Sequence, residues 1–485
     1  MINFRFIVNI LGRLLFVESI AFLLCMGVAL IYKEHDADAF LISAAITLAV
    51  ALVLIFSTKV KDRTLTKRDG YLIVSLIWIL FTVFGSLPLM ISGSIPSFPD
   101  AFFEVMSGFT TTGSSILNEV EVLPHASLFW RSLTQWMGGL GIVVILLAIL
   151  PSLGIEGRDL YVAEVPGPMH DKFSFTFHAT ARRMYIMYIG LTAAETVMLM
   201  FGGMSLFDAV CHSFACMATG GYSTKTASLA YWDSAYIQYV ITAFMFIGGT
   251  NYALLYALFK GKPSHLFKDE EFRLYTGITV AVSLVIAAML FFSGHQEEYS
   301  SIERCIRDAF FQVVTILTTT GFASADYLYW PYAAQMLLFI ILFIGGSAGS
   351  TVGGIKCVRI LLLFKNAFNE LKRIIHPNGI INVKYNGKSV RPELLSSIMS
   401  FFCMYMFTFV IGSIVMSCFT DIVTATSAVI TCLSNVGPGF GDVGPMSNFS
   451  SLNGFCKIFL SFIMLVGRLE LFTFFVIFTT SFWKR

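Results

Sequence analysis

Four short segments, each ending in a glycine turn and each held between two long apolar stretches, limit what this chain can become. The turns read Thr110-Thr111-Thr112-Gly113, Met217-Ala218-Thr219-Gly220, Thr318-Thr319-Thr320-Gly321 and Ser434-Asn435-Val436-Gly437. They recur roughly every 100 residues, far longer than a solenoid repeat and suited to a complete membrane hairpin module. The long stretches lie near 7–32, 39–57, 71–92, 128–152, 183–203, 235–259, 273–293, 332–363, 394–419 and 455–482. Each can cross a hydrocarbon core of about 30 Å, which takes roughly 20 helical residues. The four short segments cannot. Non-helical backbone at membrane depth must be buried in protein or line a water-filled path. Re-entrant loops meet that condition, and four of them in one polypeptide predict a four-fold ring.

Composition agrees with a membrane solvent. Of 485 residues, 56% are hydrophobic and only 13% are charged, where a soluble domain carries about twice that charged fraction. A net charge of +2 is too small to point to nucleic acid. The nine cysteines are scattered without a C-x-x-C and read as small buried apolar residues. The eight histidines show no zinc spacing. The apolar run after Arg5 and Arg13 extends to about Tyr32, too long for a signal-peptide core, so it reads as an uncleaved first span.

Basic residues concentrate in alternate loops: Lys59 to Arg68, Arg158 to Arg183, Lys260 to Arg273 and Lys372 to Arg391, with Lys484 and Arg485 at the end. The basic side is expected to be cytoplasmic. Both termini are then inside, and the glycine turns enter from the outside. The opposite loops hold Glu34, Asp36, Asp38, Glu119, Glu121, Glu297 and Glu298, which would mildly favour cations at the entrance.

Three of the short segments open alike, at Asp100, Asp208 and Asp308, and Thr424 takes that offset in the fourth. Asp and Thr are good N-caps. Each is expected to start a helix about three turns long whose carbonyl end, partly negative, aims at the glycine and favours a cation below it. The turn chemistry fits the same purpose. Backbone carbonyls from four strands, with threonine hydroxyls, can replace a potassium ion's water without net charge. Glycine has no side chain to block the approach, and the threonine β-branch stiffens the turn. With no Asp or Glu within the turns, calcium and magnesium are disfavoured.

Two features lie in the later stretches. The run Gly345-Gly346-Ser347-Ala348-Gly349-Ser350-Thr351-Val352-Gly353-Gly354 disfavours continuous helix by up to about 1 kcal/mol per glycine, and at mid-span it must line a cavity or be buried. Close helix packing through small residues is a rival reading. A phosphate-cradling loop is not, because Ile355 separates Gly354 from Lys356. Arg468 sits inside an apolar stretch and is by default a functional candidate facing the interior, with a structural tie between helices as the alternative. Glu470 is two residues on and cannot share its face. Lys356 also has the option of snorkelling to the surface.

Taken together, these motifs resemble the Trk/Ktr/HKT superfamily of potassium transporters, in particular its TrkH-type membrane subunits, over essentially the whole chain. The resemblance implies an all-α polytopic fold: two N-terminal transmembrane helices (1–69), then four pseudo-symmetric helix–pore loop–helix units around one central pore. Those units are expected at 70–157, 158–262, 263–375 and 376–485. It implies potassium-filter positions at Thr111, Thr112, Gly113, Ala218, Thr219, Gly220, Thr319, Thr320, Gly321, Asn435, Val436 and Gly437. In the family, glycine at all four key positions goes with potassium preference. The second turn departs from Thr-Thr-Gly at Ala218, and the fourth at Asn435 and Val436. The run 345–354 looks like the family's intramembrane gating loop, with Gly345, Gly346, Gly349, Gly353, Gly354, Lys356 and Arg468 as gating residues. Arg468 would act as an electrostatic barrier and loop anchor. The resemblance further implies potassium as cargo with no organic cofactor, a homodimer in the bacterial inner membrane, and a cytosolic nucleotide-binding regulatory partner of the TrkA type. A proton- or sodium-coupled symporter remains the alternative and would want a midplane carboxylate, for which Glu470 is the candidate. A membrane enzyme would need a clustered catalytic site, and the sequence offers none.

Overall fold

The computed structural model describes residues 2–58, 66–139, 141, 177–293, 299, 301–379 and 381–484. Expectations resting on Lys59, Lys61, Arg63, Arg158, Lys172, Glu297, Glu298, Arg485, the end of the 128–152 stretch and the 157/158 boundary fall outside these residues.

Two antiparallel helices open the chain, α1 (Phe4–Tyr32) and α2 (Ala37–Ser57). They pack closely because Gly12 faces α2, where a Cβ would stand 2.9 Å from the Leu54 Cβ. Four units follow. The first holds α3 (Lys67–Gly85), α4 (Phe98–Phe109) and α5 (His125–Gly139). The second holds α6 (Phe177–Phe201), α7 (Leu206–Met217), α8 (Ala235–Gly248) and α9 (Tyr252–Phe259). The third holds α10 (Glu270–Phe292), α11 (Ile302–Leu317), α12 (Tyr332–Ile341) and α13 (Cys357–Ile375). The fourth holds α14 (Pro392–Ser417), α15 (Ile422–Ser434), α16 (Gly454–Arg468) and α17 (Phe472–Phe475). In every unit a short helix (α4, α7, α11, α15) ends on a glycine turn between an outer and an inner helix. Between units three and four, Asn386 and Gly387, both at positive φ, close a two-residue hairpin.

The burial pattern suits lipid outside and protein inside. Phe56, Phe201 and Phe292 are exposed on the outer helices, while the short helices are buried over most of their length. The six long apolar helices α1, α2, α3, α6, α10 and α14 are long enough to cross a bilayer.

Among the described residues, the inner helices of units two, three and four are interrupted, where the sequence predicted a break in the third. The 235–259 and 455–482 stretches were expected to be continuous, yet each bends by 107°. In the second unit the break follows Gly248-Gly249, and Asn251 caps the new helix by accepting from the Ala253 amide at 2.8 Å. In the fourth, Glu470 and Leu471 both adopt positive φ (51° and 57°). The third breaks over residues 342–356.

The expected caps are also corrected. Asp100 and Asp208 are the third residues of their helices, behind Ser97 and Ser205, and Asp308 lies well inside α11 behind Ser301. In the fourth unit Asp421, not Thr424, is the cap, accepting from the Val423 and Thr424 amides at 3.0 Å each. The aspartates tie helices to other elements instead. Asp100 pairs with Lys457 at 2.6 Å, and Asp208 accepts from the Thr224 hydroxyl at 2.6 Å.

Candidate functional site

All four short helices end in the same backbone device. The first residue past the helix cap in units one to three, and the cap itself in unit four, is left-handed: Thr111 (φ 53°), Thr219 (54°), Thr319 (49°) and Asn435 (57°). That conformation costs an L-residue about 1–2 kcal/mol and is rare for a β-branched side chain. The next amide reaches back five residues, Thr112 to Ser107, Gly220 to Ala215, Thr320 to Thr315 and Val436 to Thr431, each at 2.8 Å. This Schellman-type closure satisfies carbonyls that a helix end leaves open. The third residue is a glycine at positive φ: Gly113 (84°), Gly221 (77°), Gly321 (86°) and Gly437 (103°).

The second unit therefore sits one residue later than the sequence reading. Its counterpart of Thr111-Thr112-Gly113 is Thr219-Gly220-Gly221, not Ala218-Thr219-Gly220. Ala218 is a helix cap, matching Thr110 and Thr318. Gly220 matches Thr112, and its φ lies outside the left-handed range.

The four turns close on one another in order. A Cβ at Gly113 would stand 2.2 Å from the Gly220 carbonyl oxygen, at Gly221 2.0 Å from that of Thr320, at Gly321 2.1 Å from that of Val436, and at Gly437 2.7 Å from that of Thr112. First touches second, second third, third fourth, and fourth first. Side chains are excluded on both counts, space and backbone angle. The same four glycines line one open cavity of about 120 Å³.

That mouth is not acidic among the described residues. Its charged lining is Arg131 and Lys225. Of the entrance carboxylates expected from sequence, Glu34 is tied to His125 at 2.7 Å, Glu121 accepts from the Thr226 amide at 3.0 Å and Asp36 is buried, while Asp38 and Glu119 are exposed. Beneath the mouth, Arg131 and Glu104 form a buried ion pair at 2.8 Å, Glu104 also accepts from the Ile116 amide, and the Tyr222 ring lies under the guanidinium. No spacing rule links Glu104 to Arg131, which is why the sequence did not reveal them.

The 345–354 run is a non-helical loop packed against the opposite face of the ring. Its base is closed by main-chain bonds, Gly345 to Ile355 at 2.9 Å and Cys357 to Gly346 at 3.0 Å. Its tip meets units two, three and four, and Arg468 links it to unit one. Gly353 donates to the Thr319 hydroxyl at 2.9 Å. The Thr351 hydroxyl lies 3.2 Å from that of Thr219 and 3.2 Å from the Met217 carbonyl. A Cβ on Gly353 would strike the Ser434 carbonyl at 2.2 Å. Arg468 completes the set, donating to the Thr111 hydroxyl (3.0 Å), the Thr351 carbonyl (2.9 Å) and the Gly138 and Gly139 carbonyls (2.6 and 3.0 Å). Arg468 ends a helix rather than sitting mid-span, and this lets its side chain turn into the centre. It also occupies the slot that Gly139, Gly249 and Gly346 hold in the other units, since Gly138, Gly248, Gly345 and Gly467 precede them.

The rest of the loop is tethered as well. Ser347 donates to the Gly249 carbonyl at 2.9 Å, and Tyr252 to that of Gly349 at 3.1 Å, so the second unit's break serves the loop. Lys356 does not snorkel; it is buried and its Nζ donates to the Val352 carbonyl. Gly354 (φ 65°) lets the chain turn at the loop base. Two residues that the sequence did not single out complete the frame. Glu271, buried on α10, accepts from the Ala348 and Val358 amides at 2.7 and 3.0 Å with one oxygen, and so joins the two sides of the loop. Arg359 pairs with Glu470, which takes that carboxylate out of the role of a free midplane carrier.

A polytopic membrane protein with four linked re-entrant turns around one axis is thereby defined. The comparisons with known proteins are specific. A family model described as TrkH, cation transport protein, matches residues 36–485. The Trk system potassium uptake protein TrkH of Escherichia coli strain K12 is 40% identical over 487 residues, covering 100% of both chains. The Trk system potassium uptake protein TrkG of the same strain is 34% identical over 484 residues, covering 99% of each. The crystal structure of the potassium transporter TrkH from Vibrio parahaemolyticus superimposes with a TM-score of 0.89 at 36% identity, covering 100% of both chains. The chain belongs to the TrkH family.

Proposed function

We propose that this chain takes up potassium through the ring, channel-like, with residues 111–113, 219–221, 319–321 and 435–437 as the selectivity filter and the 345–354 loop with Arg468 as the gate. The cyclic contact of each glycine with the next unit's carbonyl carries this reading. It leaves four uncharged strands close enough to share one dehydrated ion. The short helices α4, α7, α11 and α15 aim their carbonyl ends at that ion. Full-length relatives named as potassium uptake proteins support the cargo. Arg468, held at four points below the filter, supports a positive barrier that lifts when the loop moves.

The basic loops supply the orientation: termini in the cytoplasm, filter facing out, in the inner membrane. A homodimer and a cytosolic nucleotide-binding regulator of the TrkA type belong to this reading by family resemblance. Coupled symport is the weaker reading, because Glu470 is held by Arg359.

Rubidium and sodium uptake into liposomes holding the purified chain tests the proposal. Gly113→Ser should lower the preference for rubidium over sodium. An unchanged preference in a folded variant rejects the filter.

A further inference from the structure

Each filter strand is braced behind its middle residue, and the brace differs between units. In the first, the Thr110 and Thr112 hydroxyls meet at 2.8 Å; in the third, Thr318 and Thr320 do the same at 2.8 Å. In the fourth, the Ser434 hydroxyl meets Tyr405 at 2.6 Å, and Asn435 donates to Thr112 and to the Met464 carbonyl at 3.0 Å each. The second unit has neither hydroxyl, because Ala218 and Gly220 stand where the first unit has Thr110 and Thr112 and the third has Thr318 and Thr320.

Gln135 fills that gap. It lies on α5, buried, three residues before Gly138, and the corresponding positions before Gly248, Gly345 and Gly467 are Met245, Leu342 and Met464. Its Nε2 donates to the Gly220 carbonyl at 2.6 Å, and its Oε1 accepts from the Tyr222 amide at 3.0 Å. One side chain thus grips the strand on both sides of Gly221. A Cβ built on Gly220 would stand 2.5 Å from the Gln135 Cδ, so the amide occupies the volume of the missing side chain. Gly220 has no backbone need to be glycine, its φ being outside the left-handed range. Space alone keeps a side chain out.

We propose that Gln135 is a positioning residue for ion selectivity: its carboxamide replaces the threonine pair that the second filter strand lacks, and it holds the Gly220 carbonyl in register with its three counterparts. This deepens the filter reading above and rests on it. A strand free to shift would relax the cage around the smaller, more strongly hydrated sodium ion.

The test compares rubidium and sodium uptake by liposomes holding the full-length protein. Gln135→Leu keeps the bulk and removes both hydrogen bonds, and should lower the rubidium-to-sodium ratio about tenfold, the size expected for unpairing a buried carbonyl. Gly220→Thr alone should lose flux by collision with Gln135. The triple variant Ala218→Thr, Gly220→Thr, Gln135→Ala rebuilds the brace of the first and third strands, and should return the ratio to within about threefold of the parent. A parent-like ratio in Gln135→Leu overturns the inference, and so does a triple variant no better than Gly220→Thr. If Gln135→Leu does not fold, the triple variant decides alone. Gly113→Ser run alongside separates the failures. If it leaves the ratio unchanged, the filter reading falls; if it changes the ratio while Gln135→Leu does not, only the role of Gln135 falls.

Discussion

Gly221 is the residue whose role was hardest to see in advance. Gly113, Gly321 and Gly437 stand out in the sequence, but Gly220 and Gly221 are adjacent, and spacing alone cannot say which of two glycines turns left-handed. The backbone decides it: Gly221 carries the φ of 77° and the 2.0 Å approach to the Thr320 carbonyl. Gly221→Ala should therefore lower rubidium uptake at least about tenfold without abolishing it, as should Gly113→Ala and Gly321→Ala. Gly437→Ala, with a gap of 2.7 Å, should retain the most activity of the four. Uptake measured side by side checks the order, and a tolerant Gly221→Ala would reject the register. Arg468 makes the second residue-scale prediction. Its neighbours are carbonyls, hydroxyls and the loop, so removing it takes away a positive charge and the loop's anchor together. Arg468→Ala should raise basal rubidium flux at least about tenfold, the effect of roughly 1.4 kcal/mol on a barrier. Equal or lower flux in a folded variant would leave Arg468 as a helix tie only. Arg468 was legible because an arginine in an apolar stretch is rare; Glu271, Gln135 and Arg131 were not, because each takes its meaning from a partner far along the chain.

At the scale of elements, the spans, the short helices and one of the breaks were legible in the sequence, and the other two breaks were not. Glycine density marked 345–354. The other two bends rest on Gly249 and on the Glu470–Leu471 pair, too brief a signal to separate from ordinary helix. Asp100 and Asp208 suit a cap, but Ser97 and Ser205, one turn earlier, take that position and leave each aspartate third in its helix. The loop is held by a set of hydrogen bonds that is small enough to dissect. Glu271→Ala would leave the Ala348 and Val358 amides without their shared acceptor, at a cost of about 1–3 kcal/mol each. Basal flux should rise, and amide hydrogen exchange should quicken across residues 347–353. Exchange as slow as in the parent would show that Glu271 does not hold the loop.

For the whole molecule, one chain has built a ring whose four members share a backbone and differ in their braces: threonine pairs, a glutamine, a serine–tyrosine contact. Quasi-symmetry follows from the repeated helix–turn–helix pattern, and the fourth unit departs from it by carrying Arg468 where the other three carry Gly139, Gly249 and Gly346. Of the two N-terminal helices, α1 packs on α3 and α5 of the first unit and α2 on residues 87–91, and neither supplies a turn to the ring. The central claim is that this ring strips and holds a monovalent cation. Diffraction from crystals grown with rubidium, read at the rubidium absorption edge, tests it most directly. Anomalous density should lie on the axis bounded by residues 111–113, 219–221, 319–321 and 435–437. Rubidium peaks found elsewhere, with none on that axis, would contradict it.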